Sequence, residues 1–106
     1  MLAVNEANYA GDYSIHLKFN NGMEGTVNLE RIIFDDKRII FSRLKDKSNF
    51  KNFKVDHSTV IWSNELDLAP EYLFYLSFKK DIGFQKQFKQ WGYIPKEKEE
   101  KGPTSN

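Results

Sequence analysis

Residues 44–72 read LKDKSNFKNFKVDHSTVIWSNELDLAPEY, and the alternation inside them decides the fold. Phe53–Asp56 and Thr59–Trp62 are short runs rich in β-branched and aromatic residues, with His57-Ser58 between them. That pattern predicts a tight antiparallel pair. Its register sets Val55 against Val60 and Phe53 against Trp62, so these four side chains are expected to face inward. Upstream, Asp46 is placed to cap a turn that seats Phe50. Downstream, Pro70 suits the first turn of a helix, where its missing N–H costs nothing. Tyr72, Leu73 and Leu76 are the stripe that helix is expected to bury. Asp67 reads as a cap or turn residue ahead of the proline.

Working towards the N-terminus, Tyr13–Phe19 and Met23–Leu29 both alternate with period two around Asn20-Asn21-Gly22. A two-residue Asn-Gly turn would set Phe19 opposite Glu24 and mix the faces. A three-residue loop with Gly22 in the left-handed conformation pairs Phe19 with Met23, Ile15 with Val27 and Tyr13 with Leu29 on one face. Lys18 with Glu24 and His16 with Thr26 then share the other face, the first as an opposite-charge pair. A strand near Leu2–Ala7 is expected to join this sheet. Between the two hairpins, Ile33, Ile40, Phe41 and Leu44 predict a short helix over residues 39–45, following a turn or cap at Asp35-Asp36.

Beyond the Pro70 helix, Asp81-Ile82-Gly83 reads as a break. Phe84, Phe88 and Trp91 then recur at i, i+4 and i+7, one face of a further short helix whose other face is Gln85, Lys86, Gln87, Lys89 and Gln90. Residues 96–106 are charged, contain Gly102-Pro103, and read as a disordered tail. The expected organisation is one α+β domain over 1–78, made of two antiparallel β-hairpins packed with short helices. An amphipathic extension over 79–95 and the tail follow it.

Composition narrows the function classes. The chain has 106 residues, room for one small domain. Nine Phe, five Tyr and two Trp read first as core filler, because large rings bury much area per residue. There is no cysteine, so disulfides and thiolate metal sites are excluded. No apolar run approaches the roughly 20 residues that cross a bilayer, and no export signal is evident, so a cytoplasmic setting without membrane contact is expected. Net charge is only +1, but Lys37, Arg38, Arg43, Lys45, Lys47, Lys51 and Lys54 face the single acid Asp46 within their stretch.

The order of motifs then points to a family. F-N-N-G in the first hairpin is followed by V-N-L, by F-S-R-L-K-D-K-S-N-F and by V-I-W-S-N-E-L-D-L-A-P-E-Y-L. This order resembles the small bacterial family called domain of unknown function 2442, over roughly residues 3–76. The family usually places Pro and Gly around the turn after the Trp. Ser63 and Glu65 stand there in this chain, with Asn64 able to adopt a left-handed conformation. The resemblance implies a compact α+β fold in a prokaryotic cytoplasm and brings no established activity. Some relatives join this domain to a helix-turn-helix module, for which no room remains after Phe78. Small relatives of this kind are suspected members of two-gene modules of the toxin–antitoxin type.

No catalytic constellation and no cofactor motif stands out in the residues. His16 and His57 are the only histidines, and no spacing supplies convergent metal ligands. Ser14, Ser58 and Ser63 lack an activated-serine context. Asp35, Asp36 and Asp46 read as turn and cap residues rather than as an acid–base cluster. Trp62 reads as a core anchor rather than a ligand-stacking residue. Two leads remain. The Phe84/Phe88/Trp91 stripe must be buried against this domain, a second copy or a partner protein. The 37–54 basic patch, interleaved with Phe50 and Phe53, offers a nucleic-acid contact. A non-enzymatic interaction or regulatory module is the first expectation, a nucleic-acid-binding accessory the second, and an enzyme with a non-local site the third.

Overall fold

Strand β1 (Val4–Tyr9) opens a meander that continues through β2 (Ser14–Phe19) and β3 (Glu24–Asn28), in spatial order β1-β2-β3 and antiparallel throughout. The computed structural model describes residues 1–62 and 66–95, apart from the side chain of Ile40. The expected turn at Ser63, Asn64 and Glu65 and the expected tail over 96–106 lie outside the described residues. The meander has the register that the face pattern requires. Ile15 faces Val27, His16 faces Thr26 and Lys18 faces Glu24. Gly22 takes φ +88°, and Phe19 N–H donates to the Met23 carbonyl at 2.9 Å, closing the three-residue loop. Ile15, Leu17 and Val27 are fully buried on the inner face.

The charge pairing on the outer face differs from expectation. Lys18 lies opposite Glu24, but its ammonium bonds Glu6 of β1 at 3.2 Å, while Glu24 takes the His16 Nε2 at 3.1 Å. The hydrogen bond to Glu6, and then the charges of Glu6 and Glu24, raise the Lys18 pKa above its ordinary value. Adding β1 as a third strand supplied the competing carboxylate.

Helix α1 (Glu30–Asp35) follows, where the sequence predicts only a turn. Its N-cap is Leu29, which makes no side-chain capping bond, and the Glu30 N–H is held instead by the Asn28 side chain at 2.9 Å, from the last residue of β3. Asp36 ends it and accepts from the Arg38 backbone and guanidinium. Helix α2 (Ile39–Ser42) passes into a 3-10 turn over Arg43–Lys45, and Phe41 and Leu44 are buried from it. Helix α3 (Lys47–Phe50) is one turn capped by Asp46, whose carboxylate accepts from Ser48 N–H at 2.9 Å. That turn seats Phe50, fully buried, as the spacing predicts.

The second sheet is β4 (Lys54–Asp56), β5 (Thr59–Trp62) and β6 (Leu66–Leu68), in that order. Val55 pairs with Val60 as predicted, but Val55 is 37% exposed because β4 is a short edge strand with all three residues at the surface. Phe53 is half-buried, its ring centroid 6.2 Å from that of Trp62. The inward set is carried by β5, buried along its whole length between its two neighbours. Asp67 is a β6 residue paired with Ile61, and Ala69 is the N-cap of the next helix, so Asp67 caps nothing. The sheets meet where Val4 N–H donates to the Ser58 carbonyl at 2.9 Å.

Helix α4 (Pro70–Phe78) starts at Pro70 as expected. Leu73 and Phe74 are its buried residues, whereas Tyr72 and Leu76 are half-buried, so its core-facing side is rotated from the predicted stripe. Phe74 and Phe78 both reach Phe19, and Gly25 on β3 is what lets the helix lie so close. A Cβ at Gly25 would stand 2.9 Å from the Phe78 ring, too near to be tolerated without movement. A 3-10 turn over Ile82–Phe84 leads into α5 (Gln85–Trp91). The result is the α+β fold expected, with two three-stranded sheets in place of two hairpins.

Candidate functional site

The C-terminal aromatic stripe is pinned from both ends. Asp81 caps the turn before it, accepting from Gly83 N–H at 2.8 Å. Gly92 stops α5 in the left-handed conformation at φ +90°. Gly92 N–H reaches the Lys89 carbonyl and Tyr93 N–H the Phe88 carbonyl, the two bonds of a Schellman stop. Between these caps the stripe splits in function. Phe88 is fully buried against Phe74 and Tyr75 and belongs to the chain's own core. Phe84 and Trp91 also touch Phe74, at 5.1 and 6.1 Å between centroids, but both stay half-exposed.

Those two rings border a groove of about 390 Å³, with Phe74 among its lining, Met1 and Leu2 from the N-terminus, Asn20 and Asn21 from the β2–β3 loop, and Gln87 of α5. The Asn20 amide ties the N-terminus to the loop: its oxygen accepts from Ala3 N–H at 3.0 Å and its nitrogen donates to the Met1 carbonyl at 2.7 Å. Gln87 makes no side-chain hydrogen bond among the described residues. The groove thus offers aromatic surface with an amide at its rim, suited to an apolar side chain and the backbone beside it.

A second aromatic group lies across α4. Tyr72, Tyr75 and Tyr93 contact one another, with Tyr75 and Tyr93 stacked at 4.9 Å. Burial raises the phenol pKa of Tyr72 and Tyr93. Tyr93 escaped the sequence reading, although the W-G-Y order is a legible helix stop that turns the next side chain back over the helix.

The basic patch does not assemble as the sequence implied. Phe50, proposed as an interleaved stacking residue, is fully buried, and Phe53 is covered by Trp62. Arg38 is engaged by Asp36 at 2.8 Å and lies over Phe41 at 4.8 Å. That contact lowers the Asp36 pKa and raises that of Arg38. Lys37, Arg43 and Lys54 are exposed on separate segments, α1–α2, the 3-10 turn and β4. Lys45, Lys47 and Lys51 are drawn instead to rings far from them in sequence. Their ammonium groups stand 5.5, 5.7 and 5.5 Å from the ring centroids of Phe34, Tyr13 and Tyr9. Lys47 also bonds Asp12 at 3.0 Å, which raises its pKa.

The histidines lie apart from both surfaces. His16 is on the outer face of the first sheet with Thr26 and Glu24, and His57 is in the β4–β5 turn. Among the described residues, no three His, Cys, Asp or Glu side chains are grouped to hold a metal ion. No described helix is long and apolar enough to cross a membrane.

Residues 4–79 match the model of the family described as "Protein of unknown function (DUF2442)". That interval runs from β1 to the residue after α4 and leaves α5 and Tyr93 beyond it. No curated protein and no solved structure matches the chain.

Proposed function

The chain belongs to the DUF2442 family, and from its own surface we propose that it is a non-enzymatic interaction module that docks a partner protein in the groove between its N-terminus and α5. The groove itself carries this reading: half-exposed Phe84 and Trp91 beside the buried Phe74, with the Gln87 amide available at the rim. Aromatic rings held rigid by a core, with polar groups around them, are the usual anchors of protein interfaces. The occupant fitting this chemistry is an apolar side chain of the partner, with its backbone within reach of the amide. A protein encoded beside this one, as in a two-gene module, is the natural first partner to examine.

The test is co-purification with the product of the adjacent reading frame. Gln87→Arg places a long cation in the groove without removing a core group, and Trp91→Ala removes one wall. Both variants should lose at least tenfold in affinity, with Gln87→Arg keeping the wild-type melting midpoint. Equal binding by wild type and both variants would mean that the groove is not the interface.

A further inference from the structure

We propose that the ridge formed by Lys45, Lys47 and Lys51 over Phe34, Tyr13 and Tyr9 binds single-stranded nucleic acid, independently of the groove. The rings form a continuous row. Tyr13 meets Phe34 edge-to-face at 5.3 Å, and buried Phe50 links Tyr13 at 5.5 Å to Tyr9 at 6.1 Å. The row is anchored by the core and by backbone contacts: Tyr13 donates its hydroxyl proton to the Lys45 carbonyl, and Tyr9 donates to the Asp12 carbonyl at 2.9 Å. Its ends are open, with Phe34 46% and Tyr9 38% exposed. Each end ring has one ammonium beside it, from Lys45 and from Lys51, and Lys47 stands between them.

This is the arrangement that non-sequence-specific single-strand binding needs. Bases stack on exposed rings, and flexible cations reach the phosphates that link them. A long ammonium stem can swing from its own ring to a phosphate while a base takes up the open ring surface. Asp12 engages Lys47 at 3.0 Å, so phosphate must compete there, whereas Lys45 and Lys51 have no carboxylate partner among the described residues. The Asp46 carboxylate, the other acid of the segment, is turned into the Ser48 cap. A duplex hides its bases and would gain the charge contacts alone.

Fluorescence anisotropy of the full chain with labelled oligothymidylate at low salt, with inorganic polyphosphate in parallel, tests this. Oligothymidylate should bind, and its logarithmic affinity should fall with logarithmic salt at a slope of about −2, as three phosphate contacts imply. Lys45→Glu with Lys51→Glu should reduce affinity at least tenfold for both ligands. Phe34→Ala, at a half-exposed site, should weaken oligothymidylate several-fold and leave polyphosphate unchanged. Melting midpoints near wild type would show that each variant is folded. No binding at low salt overturns the proposal, as does a Phe34→Ala variant that binds oligothymidylate as well as the wild type does.

Discussion

The indole of Trp62 packs against both Phe50 and Phe53, at 5.9 and 6.2 Å between centroids, and its N–H donates to the Phe50 carbonyl at 2.9 Å. It is 4% exposed. Two separate contributions are therefore stacked in one side chain, area buried and a carbonyl satisfied. Substitution separates them. Trp62→Phe keeps much of the packing but leaves the buried Phe50 carbonyl without its donor, at about 1–3 kcal/mol. Trp62→Ala removes both and should cost about 3–5 kcal/mol, a large share of the roughly 5–15 kcal/mol that holds a small domain together. Chemical denaturation of the two variants measures the ladder. A near-wild-type midpoint for Trp62→Ala would show that the residue is not the anchor of the second sheet. The carbonyl it holds belongs to the C-terminal end of α3, so the same bond ties the capped turn at Asp46 to the strand pair that follows.

At the scale of elements, the β4–β5 turn invites the clearest prediction. His57 and Ser58 both adopt positive φ, +51° and +70°, as a two-residue hairpin loop requires. Neither is the residue that prefers it. Ser58→Gly relieves the Cβ crowding while keeping the carbonyl that accepts from Val4 N–H. The relief, set against the extra freedom of glycine in the unfolded chain, should stabilise by up to about 1 kcal/mol, or a few degrees in melting midpoint. A lower midpoint would mean that the serine side chain has a role of its own. Both hairpins were legible in the sequence because alternation and turn chemistry are local and their registers follow from which face is buried. Helix α1 was not, since its N-cap is an apolar Leu29 and the side chain that holds its first N–H, Asn28, reads as the end of β3. Strand β6 was hidden by its brevity and by its position between Trp62 and Pro70. The stripe of α4 holds at Leu73 but takes Phe74 in place of Tyr72 and Leu76, because that helix is covered on two sides, by Phe19 of β2 and by α5, and apolar spacing alone does not choose among them. The lysine–aromatic ridge was half legible: the cations were visible as a run, but their rings come from β1, the start of the β2 hairpin and α1, far away in sequence.

Over the whole molecule, the family-matched interval and the folded unit do not end at the same residue. The match stops at 79, yet Phe88 of α5 is fully buried against Phe74 and Tyr75. Periodicity could not say whether the stripe turned inward or outward, because an amphipathic helix looks the same in either case. The geometry divides it: Phe88 inward, Phe84 and Trp91 shared between the core and the groove. Deleting residues 80–106 is therefore a stability experiment before it is a binding experiment. Removing α5 forfeits the burial of Phe88 and uncovers Phe74, each worth about 1.5–3 kcal/mol on transfer. Two such losses, at roughly 4–8 °C per kcal/mol for a domain this size, should lower the melting midpoint by more than about 10 °C. The sheets do not depend on α5 for their hydrogen bonds, so the truncated chain should retain its strand signal in far-ultraviolet circular dichroism at low temperature. An unchanged midpoint would show that α5 is an appendage. Complete loss of strand signal in the cold would show that the family interval cannot stand without it in this chain.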